Sequence, residues 1–490
     1  MTLLMLLEMV AGAFGDRLAI GTTARGVTYA QLLERAGRGA EELRRRGVQH
    51  LAYVGTSDLA FPVALFAASW ASVPLLPLNY RLSDEQLGAL LANHDDVLVI
   101  TDDVARLAQL ATNVVSTEDW LLATESVPDH PSDHEPQPST TDGDDIAVLL
   151  YTSGTTAAPK AVVLRHRHLA SYVLTSIEFA GADEDQAALV TVPPYHIAGV
   201  ANVVTSVYST RRLVYLPTFA PDAWLELVRA EQVTNAMLVP TMLARVVEHL
   251  GGAPADCPSL RSLAYGGARM PITVLERALD AFGETGFVNA YGLTETSSTL
   301  AILTPDDHRA ARDGDDGAQR RLGSAGRLVP GIEVEVRDGE IWVRGDQVSG
   351  EYLGRDSALD DDGWFPTRDR GWVDDDGYLF IEGRADDTII RGGENIAPAE
   401  IEDVLLAHPS VLDAAVVGLP DEEWGQRLAA AVVRRPGTDL DEDELLTFAR
   451  KHLRSSKTPD LIAFRPDLPH TDTGKLLRRA VLADLEEHTT

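Results

Sequence analysis

The amino-acid sequence predicts an α/β protein. We expect a large N-terminal domain of layered α/β sheets that includes a small β-rich subdomain, followed by a small α+β C-terminal domain. Three observations predict this arrangement. The chain has 490 residues, more than one hydrophobic core usually serves. Apolar strand-like runs alternate with amphipathic helical runs from residue 26 to residue 291, a pattern typical of helices packed on largely parallel sheets. This pattern changes near residue 323 and again near residue 383.

The first two long apolar segments are predicted to belong to the globular core. MTLLMLLEMVAGAF, residues 1–14, has no preceding basic region and contains Glu8, so we expect an amphipathic helix and not a signal peptide. LAFPVALFAASWASVPLLPL, residues 59–78, is uncharged for long enough to span a bilayer. Prolines divide it, however, and its last six residues resemble a buried strand. We therefore predict a helix followed by a strand and no membrane insertion.

Polar segments separate the remaining parts of the chain. VPDHPSDHEPQPSTTDGDD, residues 127–145, is predicted to be a solvated connector, and TPDDHRAARDGDDGAQRR, residues 304–321, precedes a Gly-punctuated β-like stretch at 323–345. Further on, PAEIEDVLLAHPSV and DEDELLTFARKHLR are predicted helices, and LDAAVVGLP and LAAAVVRRP are predicted strands. The predicted domains span residues 1–384 and 385–490.

The composition narrows the range of partners. The formal net charge of -33 argues against nucleic acid and anionic membrane surfaces, because both would repel the protein. A small anion such as ATP is compatible with this net charge, since a local loop and a metal ion can outweigh the overall electrostatic repulsion. The single cysteine, Cys257, cannot form an internal disulfide, so we expect a structural thiol and a cytoplasmic location.

LLYTSGTTAAPKAVVL, residues 149–164, places small hydroxyl residues, a glycine and Lys160 between two apolar runs. Backbone N–H groups beside small residues can converge on an anion, and a nearby lysine adds the charge that a polyphosphate needs. The Walker pattern does not fit, because Pro159 precedes the lysine and Ala161 follows it. From the loop alone, a phosphate-binding loop and a polar hairpin with an exposed lysine are both open.

Five further strings follow in order: YGGA (265–268), NAYGLTET (289–296), GWFPTRDRG (363–371), GRADDTIIRGGENIAPAEIE (383–402) and TDTGKLLRR (471–479). Together with the loop they resemble the acyl-adenylate-forming superfamily, which includes acyl- and aryl-CoA ligases, adenylation domains and luciferases. The resemblance extends over essentially the whole chain. It implies that ATP and Mg²⁺ activate a small-molecule carboxylic acid to an acyl-AMP, and that a thiol then captures the acyl group.

The resemblance also implies how the nucleotide is held. Glu295 would bind Mg²⁺ and Thr294 would contact the α-phosphate. Both could cap a helix that begins in TETSSTL, a role that is compatible with ligand binding. Tyr291 would offer a flat face to adenine, and Asp369 would accept bonds from the ribose hydroxyls, assisted by Arg384. The implied nucleotide-binding residues are Thr152, Ser153, Gly154, Thr155, Thr156, Lys160, Gly266, Gly267, Ala268, Tyr291, Gly292, Asp369 and Arg384.

Three positions depart from the family pattern, and two of them are Ala157 and Ala161, which stand where glycine is common. Arg368 stands where similar proteins usually carry glycine, so we expect a backbone adjustment beside Asp369.

At the other end of the chain, Lys475 matches the catalytic lysine of the superfamily, which bridges the carboxylate and the α-phosphate. Asp386 matches the hinge about which a mobile C-terminal domain swings. Gly392 and Gly393 would then line the channel for the pantetheine arm of CoA.

The acid-binding pocket is implied by PPYHIAG, residues 193–199. His196 matches a residue that gates this pocket, and no Asp is present there to pair with an α-amino group. The implied pocket residues are His196, Ile197, Ala198, Gly199, Tyr265, Ala290 and Gly292. This uncharged wall predicts a bulky apolar acid, whether aromatic, alicyclic or medium-chain. CoA is the predicted acceptor. The alternatives are a carrier-protein phosphopantetheine and a nucleotide-binding protein without turnover.

Overall fold

The computed structural model describes residues 1–125, 137–152, 159–312, 314, 316–421, 423–471 and 475–489. Its first part forms a six-stranded sheet with helices on both faces. The elements of this part are α1 (Leu3–Phe14), β1 (Leu18–Gly21), β2 (Gly26–Thr28), α2 (Tyr29–Arg46), β3 (His50–Val54), α3 (Ala60–Ala71), β4 (Leu75–Pro77), α4 (Asp84–Leu91), β5 (Val97–Thr101), α5 (Val104–Leu107), β6 (Val114–Ser116), α6 (Thr117–Ala123), β7 (Ile146–Thr152) and β8 (Lys160–Arg165). The strand order is β6-β5-β3-β4-β7-β8, parallel except for the β7–β8 pair.

A thirteen-stranded sheet forms the second layer and joins the β-rich part of the chain to the α/β part. Its further elements are α7 (His166–Ser176), β9 (Ala187–Val190), α8 (Ile197–Tyr208), β10 (Arg212–Tyr215), α9 (Pro221–Ala230), β11 (Asn235–Leu238), α10 (Pro240–Leu250), β12 (Ser262–Gly266), α11 (Ile272–Phe282), β13 (Gly286–Leu293), β14 (Ser298–Leu303), α12 (Pro305–Arg312), α13 (Asp316–Arg321), β15 (Gly326–Leu328), β16 (Glu333–Arg337), β17 (Glu340–Arg344), β18 (Phe365–Val373) and β19 (Tyr378–Arg384). The strand order is β16-β17-β18-β19-β15-β14-β13-β12-β11-β9-β10-β1-β2.

The predicted alternation of strands and helices is confirmed in this sheet. Strands β1, β9, β10, β11, β12 and β13 pair in parallel, as crossover helices require. From β13 to β19 the pairing is antiparallel. The predicted β-rich subdomain is therefore hydrogen-bonded to the large sheet through β14 and β15 and continues it. The polar segment before it contains two helices, α12 and α13.

The two apolar segments fold as predicted. Helix α1 buries Leu3, Leu7 and Val10 and exposes Met5 and Met9, because apolar residues recur on one face at helical spacing. Helix α3 buries Ala60 to Trp70 on all sides, and the short strand β4 follows it, also buried. No helix among the described residues is long and apolar enough to cross a membrane. The first and second sheets thus enclose the α1 and α3 helices in one core.

The C-terminal part has its own cores. Its elements are β20 (Ile389–Arg391), β21 (Glu394–Ile396), α14 (Pro398–Leu406), β22 (Val411–Asp421), β23 (Gly425–Arg434), α15 (Glu442–His452), β24 (Leu461–Arg465) and α16 (Arg478–Thr489). Helices pack on both faces of the β22-β23-β24 sheet, and the two core clusters formed there contain only residues from Ile389 onward. The predicted helices and strands are present. A boundary between residues 384 and 385 stays a prediction.

Candidate active site

A buried carboxylate lies where strands β13, β18 and β19 meet. The Tyr291 hydroxyl donates a hydrogen bond of 2.6 Å to Asp369 Oδ2, and Arg384 Nε lies 3.1 Å from Oδ1. Asp369 and Arg384 face each other across the β18–β19 pair, so the register of the strands creates their contact. Burial raises the pKa of Asp369, while Arg384 and Tyr291 oppose the shift. The site therefore presents a carboxylate whose orientation is held from two sides.

Tyr291 makes a contact in this geometry that the resemblance does not imply. Its hydroxyl is committed to Asp369, and burial together with the Asp369 charge raises the pKa of the phenol. The ring is therefore part of the wall that positions the carboxylate. Stacking of the Tyr291 ring face on adenine stays a prediction.

Thr294 and Glu295 lie on a single 3₁₀ turn, Thr294–Thr296, immediately after β13. Strand β14 follows the turn, so the interpretation that these residues cap an α-helix is wrong. The Glu295 backbone carbonyl accepts a hydrogen bond from Ser349 N at 2.8 Å, and its Oε1 accepts one from the Tyr352 hydroxyl at 2.9 Å. The Glu295 carboxylate is thus fixed on the rim of the same cleft.

The structure brings the C-terminal lysine to this cleft. Burial lowers the pKa of Lys475, Arg384 lowers it further, and the charges of Asp369, Asp387 and Glu295 raise it. Lys475 itself is exposed to solvent. An ammonium group from the C-terminal domain therefore acts electrostatically on carboxylates of the large domain.

Only the ends of the predicted phosphate loop belong to the described residues. Thr152 ends β7 and Lys160 begins β8, and the two residues pair across the hairpin. Lys160 Nζ lies 5.6 Å from the centroid of the Tyr352 ring, which in turn bonds to Glu295. Ser153, Gly154, Thr155 and Thr156 lie outside the described residues.

Two of the predicted nucleotide-binding glycines have a packing reason to be glycine. A Cβ added to Gly266, at the end of β12, would lie 2.2 Å from the Ala290 carbonyl oxygen, and one added to Gly292 would lie 1.7 Å from the Ser298 carbonyl oxygen. Both glycines let neighbouring backbone segments approach closely. Gly267 and Ala268 follow β12 in a bend beside them.

The backbone adjustment expected at Arg368 is present. Its φ is +60°, in the left-handed region that glycine adopts most easily. The Arg368 N–H donates a 3.0 Å hydrogen bond to Glu340 Oε1, which helps to hold this conformation. Asp369 follows directly, and its own N–H donates to Thr367 Oγ1 at 3.1 Å.

Most of the predicted acid pocket lies near the start of α8 and the end of β13. His196 is the N-cap residue of α8, its ring centroid lies 4.6 Å from that of Tyr195, and Ile197, Ala198 and Gly199 form the first turn. Ala290 and Gly292 lie on β13. Tyr265 does not join this group: it is fully buried in the core beside α11, and its hydroxyl hydrogen-bonds to His308 Nε2 at 2.8 Å. Since β12 side chains alternate between faces, its position points it away from α8.

The residues predicted for domain movement lie directly after β19. Asp386 is the middle residue of the 3₁₀ turn Ala385–Asp387. Gly392 and Gly393 connect β20 to β21 with φ values of +57° and +83°. A Cβ on Gly392 would lie 2.9 Å from the Trp424 ring. Both glycines adopt left-handed backbone conformations, which residues with a Cβ adopt only at an energetic cost.

The cations and carboxylates gathered here come from both parts of the chain, and they are the kinds of group that bind a phosphorylated nucleotide and its metal ion. The chain belongs to the AMP-binding enzyme family, whose model matches residues 7–353, and the model of the AMP-binding enzyme C-terminal domain matches residues 400–475. It is 36% identical over 470 residues to a feruloyl-CoA synthase of Amycolatopsis sp, covering 93% of each chain. It is 32% identical over 488 residues to the fatty acid–[acyl-carrier-protein] ligase ScoC of Streptomyces coeruleorubidus, covering 94% of this chain and 92% of the relative.

A solved structure shows the same fold with a reaction intermediate. The o-succinylbenzoate CoA synthetase MenE of Bacillus subtilis, in complex with the acyl-adenylate OSB-AMP, is 28% identical with a TM-score of 0.83, and the match covers 97% of both chains.

Sequence reasoning missed Tyr352, which contacts both Glu295 and Lys160. The string EYLGR around it has no pattern that indicates a site. Its importance comes from contacts with residues far away in the chain.

Proposed function

We propose that this enzyme joins a carboxylic acid to CoA in two half-reactions. In the first, a carboxylate oxygen attacks the α-phosphorus of ATP, the bond to pyrophosphate breaks, and an acyl-AMP forms. In the second, the CoA thiol loses its proton, its sulfur attacks the acyl carbonyl, and AMP leaves as the thioester forms. Both steps balance without an oxidant or reductant.

The observation that carries this proposal is the position of Lys475. Its charge interacts with Asp369 and Glu295 of the large domain, although it comes from the small domain. A cation at that position would stabilise negative charge that grows between the acid and the α-phosphate. Thr294 would contact the same phosphate, and Lys160 with the hydroxyl loop would hold the departing pyrophosphate.

The donor set also suits Mg²⁺. Glu295 supplies a hard carboxylate oxygen, and Tyr352 contacts both this carboxylate and Lys160. Mg²⁺ prefers one or two carboxylates together with phosphate oxygens. Bound there, Mg²⁺ would neutralise charge on the phosphates. Asp369, positioned by Tyr291 and Arg384, would accept hydrogen bonds from the ribose.

The acid is proposed to be bulky and apolar. His196, Ile197 and Ala198 at the start of α8 and Ala290 and Gly292 on β13 offer small or uncharged surfaces. The identity to a feruloyl-CoA synthase supports an aromatic acid. Tyr265 is not part of this proposal, since its side chain is buried beside His308.

The acceptor is proposed to be CoA. Rotation about Asp386 would withdraw Lys475 and bring Gly392 and Gly393 to the thiol channel. A carrier-protein phosphopantetheine is the second candidate, favoured by the identity to ScoC. We place the enzyme in the cytoplasm, which supplies both ATP and CoA.

A pyrophosphate-release screen tests the proposal. Ferulic acid, 2-succinylbenzoic acid, octanoic acid and acetic acid are each supplied with ATP and Mg²⁺, with and without CoA. We expect at least one bulky acid to exceed acetate by tenfold or more, with CoA consumed in step with AMP. Release without CoA consumption would favour a carrier protein. An absence of release with any acid would contradict the proposed ligase.

A further inference from the structure

Tyr352 is held by the backbone beside the strand that carries Lys160. It forms a β-bridge with Val162 of β8, and Leu353 N donates to the Ala161 carbonyl oxygen at 2.9 Å. Glu351 O accepts from Val163 N at 3.0 Å. The segment that precedes Tyr352 also reaches the Glu295 backbone, through the 2.8 Å bond from Ser349 N. One short segment thus braces both the lysine strand and the Glu295 turn.

The side chain of Tyr352 connects the same two groups. Its hydroxyl donates to Glu295 Oε1 at 2.9 Å, and Lys160 Nζ lies 5.6 Å from its ring centroid. The ring is partly buried and packs against the main hydrophobic core. An ammonium at this distance from a tyrosine face is attracted by the ring quadrupole. The Tyr352 side chain therefore contacts the Glu295 carboxylate through its hydroxyl and the Lys160 ammonium through the face of its ring.

The tyrosine stays a hydrogen-bond donor throughout the physiological pH range. Burial raises the pKa of the phenol, and the neighbouring Glu295 charge raises it further, whereas Arg368 and Arg384 act in the opposite direction. A neutral phenol hydroxyl can donate one hydrogen bond to a carboxylate oxygen. Glu295 Oε1 is engaged in this way, and Oε2 is the second oxygen of the group.

We propose that Tyr352 is a positioning residue for the nucleotide: it holds Glu295 so that Oε2 faces the divalent cation that accompanies ATP, and it keeps Lys160 beside the phosphates. This assignment rests on the proposed function of the cleft. It predicts that the hydroxyl and the ring make separable contributions. The hydroxyl acts through the cation, and the ring acts on ATP itself.

Isothermal titration of ATP, with and without Mg²⁺, tests this assignment directly. For the unchanged protein we expect Mg²⁺ to tighten ATP binding. Tyr352→Phe keeps the ring and should lose most of that enhancement, while ATP affinity without Mg²⁺ changes less than twofold. In pyrophosphate release, the Mg²⁺ concentration for half-maximal rate should rise about three- to tenfold, with the KM of the acid unchanged. Tyr352→Leu should also weaken ATP binding without Mg²⁺.

Tyr378→Phe is the matched control, because Tyr378 likewise donates to a carboxylate, Asp307, at 2.6 Å in the large domain. We expect it to leave the Mg²⁺ dependence unchanged. In a Glu295→Gln background, Tyr352→Phe should alter ATP affinity less than twofold. An unchanged Mg²⁺ enhancement in Tyr352→Phe would overturn the assignment while leaving the ligase intact. Failure of the unchanged protein to bind ATP under either condition would overturn the proposed function and this assignment together.

Discussion

At the scale of single residues, Arg368 adopts a left-handed backbone conformation directly beside Asp369. A residue with a Cβ costs about 1–2 kcal/mol in the left-handed conformation, and glycine avoids this cost. We therefore expect the free energy of unfolding of Arg368→Gly to exceed that of Arg368→Ala by about 1 kcal/mol. Both variants lack the guanidinium, but only glycine adopts the left-handed conformation without strain. Thermal unfolding of the two variants measures the difference.

The alanine variant serves as the control for loss of charge. If Arg368→Ala unfolds at the same temperature as Arg368→Gly or above it, the left-handed backbone is not a source of strain. Steady-state kinetics of both variants would report separately whether the arginine charge affects ATP.

The candidate site residues could be predicted from the sequence where they stand in a short local motif. Asp369, Arg384 and Lys475 stand in short motifs, and the structure gathers them at one cleft. Tyr352 was not predictable, because its partner Glu295 is 57 residues away and the contact depends on the sheet. Tyr265 was predicted to line the acid pocket from the family resemblance, but strand alternation turns its side chain into the core, where it bonds to His308.

At the scale of elements, hydrophobic periodicity predicted the parallel core strands, α1, α3 and the main helices of the C-terminal domain. It could not predict that β15 to β19 extend the large sheet. The periodicity of a strand shows which of its faces is buried, but it does not show which other strand it pairs with. Hydrophobic periodicity also missed α12 and α13. Charged residues there obscure the helical pattern, although His308 and Ala311 are buried on one face of α12.

Helix α14 provides a contact between the domains that the sequence did not indicate. Asp403 on this helix forms an ion pair with Arg269, which follows β12 in the large domain. Because the pair forms in the arrangement that brings Lys475 to the cleft, its loss should disfavour that arrangement. A partly exposed pair contributes up to about 1 kcal/mol. We expect Arg269→Ala to slow acyl-AMP formation about two- to fivefold and to leave thioester formation from supplied acyl-AMP unchanged.

Arg309→Ala is the matched control, because Arg309 pairs with Asp306 within α12 and links no domains. Single-turnover measurements of the two half-reactions provide the comparison. Equal slowing of both half-reactions by Arg269→Ala would show that the ion pair does not select between domain arrangements.

At the scale of the whole molecule, two parts of the chain with separate cores meet at one group of charged side chains, and the proposed function requires both parts. The small domain contributes Lys475, and the large domain contributes Asp369, Glu295 and Lys160. The turn containing Asp386 lies between the last strand of the large sheet and β20. A rotation there would change which face of the small domain meets the cleft, so a single chain could serve two half-reactions.

The most direct test compares the two half-reactions in Lys475→Ala, with Lys451→Ala on α15 as a control lysine in the same domain. If Lys475 acts only while the acid is activated, pyrophosphate release should fall by at least a hundredfold, whereas thioester formation from supplied acyl-AMP and CoA should stay within about threefold of the unchanged enzyme. Equal loss of both half-reactions, or retention of both, would contradict the account.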